Sequence, residues 1–241
     1  MQKLILQQNI TPQTTNALRL TFNIPDIDAL LPALKEGDFA ILYGSQTVTS
    51  LLSQLCIRAH LSTEQGGVNS KTIFIDATKN STLSNISQTA ELQLDSQEIP
   101  KQIQSFRVYT AYKLHSLIID QLEQIMETTN VKLVAISDIM YPFLTENIDD
   151  SEARMAYTQI MNHLSNFAKK HNIIIVATNL PHENNQRNTT LQEITTAKAN
   201  VIIRHTKTLY TSEIELEKHP SYMLGVMDFN PENKTLMDFF S

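Results

Sequence analysis

Residues 36–54 read EGDFAILYGSQTVTSLLSQ. Within them 38–43 (DFAILY) is a short apolar run of the kind that makes a buried strand. Gly44 ends the run and a polar stretch follows. Residues 48–61 then carry Leu51, Leu52, Leu55, Ile57 and Ala59 among the apolar positions of a helix. A strand, a glycine, a polar loop and a helix are the parts of a phosphate-binding loop. Such a loop needs further glycines so that its backbone N–H groups can wrap an anion. The chain has only five, Gly37, Gly44, Gly66, Gly67 and Gly225. No two of them have the spacing of G-x-x-x-x-G-K or G-x-G-x-x-G. An ordinary phosphate-loop or dinucleotide fingerprint is excluded on that ground.

Outward from this stretch, short apolar runs alternate with amphipathic ones. Strands are predicted at 71–76 (KTIFID), 106–110 (FRVYT), 132–136 (KLVAI) and 172–178 (NIIIVAT). Helices are predicted at 81–94, 114–127 and 151–170, the last with Ala153, Tyr157, Ile160, Leu164, Phe167 and Ala168 at the 3.6-residue period. Fully apolar strands separated by helices mean a parallel sheet covered on both faces. After Asn200 the pattern changes to strands joined by short turns, at 201–204, 209–217, 222–229 and 235–240. This reads as an antiparallel meander extending the sheet. Residues 181–196 (PHENNQRNTTLQEITT) read as a polar, flexible excursion.

Composition narrows the class. The 241 residues suit one α/β domain, or one domain with a small appendage. With 41% hydrophobic residues the chain can bury a sizeable core. No apolar run approaches the roughly 18 residues of a membrane span. The start, MQKLILQQNI, lacks the pattern of a secretory signal, so the cytoplasm is the expected compartment. A single cysteine, Cys56, excludes a disulfide framework and a multi-cysteine zinc site, and it reads as a small core residue. Nineteen basic against 25 acidic residues give a net charge of −6. Whole-molecule attraction to DNA or to an anionic membrane is not expected.

The order of elements resembles the ATPase core of the RecA/RadA recombinase family and its KaiC-like relatives. The likeness runs from about Thr21 to Phe229. Residues 23–34 (NIPDIDALLPAL) look like the family's entry segment, and 36–54 like the strand–loop–helix that carries Walker A. Residues 131–143 (VKLVAISDIMYPF) resemble the Walker B strand, 167–181 (FAKKHNIIIVATNLP) the strand ending in Thr-Asn-Gln, and 200–228 the closing strands with LEKHP at 216–220. The resemblance implies an α/β fold with a RecA-like core, a mainly parallel sheet flanked by helices and a C-terminal antiparallel extension. It divides the chain into a segment at 1–20, the core at 21–229 and a tail at 230–241.

The departures from that pattern are chemical. Gly44 takes the first glycine position of the loop, but the second falls on Thr49, the lysine on Ser50 and the hydroxyl residue on Leu51. Ser137 stands at the Walker B aspartate, with Asp138 one residue on, where strand geometry reverses the side-chain direction. The catalytic glutamate position falls at about Thr78, and Leu180 replaces the γ-phosphate-sensing glutamine. Four positions lost together imply no ATP hydrolysis by the family's mechanism, no catalytic residue and no ATP or magnesium cofactor. Asp76 and Asp138 read either as remnants of a metal site or, preferred here, as a turn cap and a solvated carboxylate. The seven histidines show no metal-like spacing, and His163 and His171 are expected on a helix surface.

The family's two DNA-contacting loops correspond to 141–150 and 181–198. The first is acidic, with Phe143 and Leu144 available to a neighbouring subunit and Arg154 solvated on the following helix. The second carries His182, Arg187 and Lys198 as candidate contacts to single-stranded phosphate backbone, diluted by Glu183 and Glu193. The tail reads NKTLMDFF at 233–240 and resembles the sliding-clamp (PCNA)-binding box Q-x-x-h-x-x-F-F. Asn233 stands in the glutamine place, with Leu236, Phe239 and Phe240 as plugs. The other reading of these residues is a final strand of the meander. The expected function is a non-catalytic RadA/RecA-like paralog, an accessory or mediator subunit in DNA recombination and repair. Its partners would be a RecA/RadA-family subunit, a sliding clamp and weakly held single-stranded DNA, with no membrane. An unconventional ATPase that uses Asp138 with residues borrowed from a partner is one alternative, and a KaiC-like regulatory module without a DNA role is another.

Overall fold

β-Branched and apolar runs form the strands, and the turn residues between them set where the helices start. The computed structural model describes residues 18–78, 86, 100–208 and 211–229. The helix expected at 81–94, apart from Ile86, and the strand expected at 235–240 lie outside the described residues. In chain order the elements are β1 (Arg19–Leu20), α1 (Pro25–Leu30), β2 (Leu34–Lys35), β3 (Phe39–Gly44), α2 (Val48–Arg58), β4 (Lys71–Asp76) and β5 (Ile103–Arg107). Helix α3 (Ala111–Ser116) runs through a π turn (Leu117–Gln121) into α4 (Leu122–Glu127). Then come β6 (Val131–Ser137), α5 (Tyr141–Thr145), α6 (Asp150–His171), β7 (Ile174–Asn179), α7 (Gln186–Lys198), β8 (Val201–Lys207), β9 (Ser212–Lys218) and β10 (Gly225–Phe229).

Eight strands form one sheet in the order β10-β9-β8-β3-β7-β6-β4-β5. From β8 to β5 every pairing is parallel, while β8–β9 and β9–β10 are antiparallel. The α/β class, the parallel core and the antiparallel extension are those expected. Alternation divides the core into two layers. Phe39, Ile41, Ile73, Ile75, Ile136 and Ile175 face helices α3, α4 and α6, and Ala40, Leu42, Phe74, Ala135, Val176 and Ile203 face α2. Continued to the strand ends, the alternation puts Gly44, Asp76, Ser137, Thr178 and His205 on the α2 face, at the carboxyl edge where α/β sheets bind ligands.

Two expectations are corrected here. The strand expected at 106–110 is β5, Ile103–Arg107, because Thr110 is already a helix N-cap whose side chain accepts from the Lys113 N–H at 3.2 Å. The flexible excursion at 181–196 is largely helix α7. Asn185 caps it by accepting from the Asn188 N–H at 2.8 Å, and Thr195 meets the buried Tyr157 hydroxyl at 2.7 Å. Helix α6 shows both terminal signals together. Asp149 caps it, Asp150 and Glu152 lie in its first turn, Lys169, Lys170 and His171 in its last, and Asn172 ends it at φ +51°.

Candidate functional site: a closed loop at the carboxyl edge of the sheet

Gly44 leaves β3 at φ +112°, a conformation that favours glycine, and a Cβ there would lie 2.4 Å from the His205 carbonyl oxygen. Only 45–47 separate the strand from α2, which begins at Val48. The amides of Val48, Thr49 and Ser50 donate to the carbonyls of Ser45, Gln46 and Thr47, and that of Leu51 donates to Thr47. An anion-binding helix start needs those N–H groups unpaired and converging on the ligand. Here each already has an acceptor. The Thr49 hydroxyl donates to the Gln46 carbonyl at 2.7 Å, Ser50 is exposed, and Leu51 packs into the α2-face core.

A histidine fills the hollow of the loop. His205 Nδ1 lies 2.6 Å from Ser45 Oγ and is also hydrogen-bonded to Thr47 Oγ1, while Nε2 reaches Ser212 Oγ at 2.8 Å. The ring is 7% exposed. Burial, with the Lys207 charge as a lesser cause, holds its pKa below the usual histidine value, so the neutral imidazole is favoured. Strand β8 supplies His205, the loop supplies the two hydroxyls and β9 supplies Ser212. The nearest sequence signals were hydroxyls rather than glycine and lysine after Gly44, and one histidine on the buried phase of an otherwise apolar strand.

Across the sheet, Ser137 pairs in register with Asp76, and both are fully buried. The Ser137 hydroxyl has no hydrogen-bond partner among the described residues. The Asp76 carboxylate accepts from Thr78 Oγ1 at 2.6 Å and from the Thr78 N–H at 3.3 Å, so it caps its turn as expected, and the buried Thr78 is its partner. Asp138 is not the solvated carboxylate expected. It is 2% exposed at φ +52°, accepts from His182 Nε2 at 2.9 Å and from the Leu180 N–H at 3.3 Å, and its own N–H donates to Thr178 Oγ1. The left-handed turn directly after β6 brings the side chain against the segment that leaves β7. Among the described residues no cluster of three His, Cys, Asp or Glu is placed to hold a metal ion.

The two segments expected to be DNA loops are clamped to each other. Arg187 donates to the carbonyls of Phe143 (3.2 Å), Glu146 (3.3 Å) and Ile148 (2.7 Å) and pairs with Asp150. His182 is held by Asp138, and Lys198, half-buried, ends α7 beside Lys218. Phe143 does not reach outward as expected. It is fully buried edge-on against Tyr157 at 5.2 Å, and Leu144 packs partly behind it. Arg154 is exposed in a groove between α6 and α7 with Met155, Gln186 and Thr190. His163 and His171 flank Phe167 on α6 and are half-buried against it rather than free on the helix surface as expected, and Cys56 is fully buried, which pushes its thiol far above the usual range. Asn233, Leu236, Phe239 and Phe240 lie outside the described residues.

No helix among the described residues is long and apolar enough to cross a membrane. No curated protein matches the chain. A family model does: Rad51, over residues 15–214, which takes in the closed loop, both clamped segments and every parallel strand. With the strand order and the strand–loop–helix at 39–58 already in place, the match is decisive, and the chain belongs to the Rad51 family of RecA-type recombination and repair proteins.

Proposed function

We propose that this Rad51-family protein is a non-catalytic accessory or mediator subunit that acts through protein contacts and does not bind or hydrolyse ATP. The observation that carries this reading is the closed loop. The amides of Val48 to Leu51 are bonded within their own helix start, and His205 sits between Ser45 and Thr47 in the hollow. A triphosphate arriving there would find no unpaired helix-start N–H and no lysine. Magnesium would find Leu51 where a hydroxyl is needed and Ser137 where a carboxylate is needed. Asp138 is a poor substitute, because its Oδ1 already accepts from His182 and from the Leu180 N–H.

Two finer proposals follow. The first is a RecA/RadA-family subunit as the partner, since cores of this kind assemble with one another; the net charge of −6 suits a mediator better than a strand-coating filament. The second is a sliding clamp engaged by Asn233, Leu236, Phe239 and Phe240. Direct DNA contact by His182 and Arg187 is disfavoured, because both are engaged inside the fold.

Calorimetric titration tests these proposals. The full chain should give no heat with magnesium-ATP at concentrations that saturate an active Rad51-family enzyme. With the clamp of the same organism it should bind, and the Phe239→Ala/Phe240→Ala variant should not. Stoichiometric ATP binding would overturn the closed-site reading. Clamp binding that survives the double substitution would remove the tail from it.

A further inference from the structure

A hollow of about 450 Å³ lies at the amino edge of the sheet, opposite the closed loop, between the C-terminal half of α6, the end of α7 and the end of β9. Lys169, Lys198, Lys218 and His219 line it together with Asn162 and Asn166, and no lining residue is acidic. This is a concentration of positive charge on a chain whose net charge is −6. Helix C-termini attract lysine by themselves, and that accounts for one cation at each of α6 and α7. It does not account for β9 delivering Lys218 and His219 to the same place. Lys218 Nζ donates to the Thr196 and Ala197 carbonyls at 2.8 and 3.5 Å. Lys169 and Lys198 have no ion pair among the described residues. His219 Nδ1 accepts from the Ser221 and Tyr222 N–H groups at 2.9 and 2.8 Å, so its proton sits on Nε2, a donor with no acceptor among the described residues. Asp38, whose charge reaches His219, is 6% exposed, and its oxygens accept from Asn200 Nδ2 at 2.9 Å and the Lys35 N–H at 2.7 Å. An arriving anion therefore faces cations and amides.

We infer that this hollow docks an acidic segment of a partner protein, with Lys169 and Lys198 as the cations that receive its carboxylates. Three features favour a peptide over a nucleic-acid strand. The hollow offers bases no open aromatic platform, because the Tyr222 ring stacks on His219 at 4.3 Å and carries Lys35 Nζ over it at 4.5 Å. The chain leaving the hollow at Pro220 runs directly into Met223 (89% exposed) and Leu224 (54%), apolar side chains that suit a segment mixing acidic and apolar residues. The overall negative charge repels a long polyanion, whereas a short segment feels mainly the field within a screening length of about 8 Å. The inference gives a place to the protein contacts proposed above and rests on that reading; it is independent of the closed loop and of the tail.

Fluorescence anisotropy of the full chain tests it. The probe is a labelled peptide of about twelve residues, Asp and Glu with two leucines. Its controls are the same peptide with Asn and Gln in place of the acids, and a labelled oligothymidylate. The acidic peptide should bind, and Lys169→Gln/Lys198→Gln should weaken it about tenfold or more. Lys113→Gln/Lys207→Gln removes the same charge from exposed positions at the opposite edge and should change the affinity by less than about twofold. Lys169→Arg/Lys198→Arg keeps the charge and should keep the binding, which separates loss of charge from loss of fold. Met223→Ser/Leu224→Ser should weaken the peptide about threefold or more. No binding of the acidic peptide, equal affinity for its amide counterpart, or equal losses in the two glutamine variants would overturn the inference. Oligothymidylate binding that is tighter than peptide binding and lost in Lys169→Gln/Lys198→Gln would also overturn it and make the hollow a nucleic-acid site. Failure here leaves the ATP and clamp titrations as they stand, and failure there leaves peptide binding to the hollow intact.

Discussion

At the residue scale, His205 fills the hollow of the loop and gives the hydroxyls of Ser45 and Thr47 a partner. Replacing it with alanine leaves the half-buried hydroxyls of Ser45, Thr47 and Ser212 short of a hydrogen bond. The expected loss is about 1–3 kcal/mol in urea unfolding, with no gain of ATP binding. Its titration has a definite sign. The folded chain holds the imidazole below its ordinary pKa, so the unfolded chain binds the proton more readily. Stability is then complete above about pH 6.5 and falls as pH drops through the folded value. His60, held at about 4 mainly by burial, works in the same direction, as do His163 and His219. Unfolding measured from pH 7.5 to 5 should show falling stability, with a shallower slope in His205→Asn. An identical slope would mean that His205 titrates as it does in the unfolded chain.

At the element scale, the informative contact is Arg187. One guanidinium from the first turn of α7 satisfies three carbonyls of the segment running from α5 to the start of α6. This side chain ties the two segments directly to each other. Arg187→Leu should speed hydrogen exchange at 143–150 and 186–191 by about tenfold for each 1.4 kcal/mol lost, while amides of β3, β6 and β7 hold their protection. Exchange that rises equally in the central strands would show a global defect instead. The polar composition of 181–196 pointed to a loop because its stabilising partners lie some forty residues away in sequence.

At the scale of the whole molecule, the sheet has two edges of different character. β10 is apolar and followed by the tail. The other edge, β5, leads to Tyr109 (59% exposed, with Arg107 over its ring at 5.2 Å) and Tyr112 (79% exposed) at the start of α3. Exposed tyrosines beside a strand that pairs on one side only among the described residues suit a protein interface, since their rings bury area at low entropic cost. Tyr109→Ser/Tyr112→Ser should weaken capture of a RecA-family subunit by about tenfold or more, while stability moves by less than about 0.5 kcal/mol. Unchanged capture would move the assembly surface elsewhere.

The α/β class, the parallel core and the antiparallel extension were legible in the sequence, because buried strands and amphipathic helices write their period locally. The lone Gly44 and the hydroxyl-bearing run Ser45–Gln46–Thr47 after it were also plain, since residue type along a loop is read directly from the chain. Tertiary structure decided which groups meet around that loop. His205 meets Ser45 and Thr47 from a strand some 160 residues away, and Asp138 is buried only because the chain leaving β7 folds back onto it. Phe143 turned inward because Tyr157 offered it a partner. Period and composition fix which face of an element is buried. Which polar groups find one another at the sheet's edge depends on contacts between distant segments, and only the folded chain brings those together.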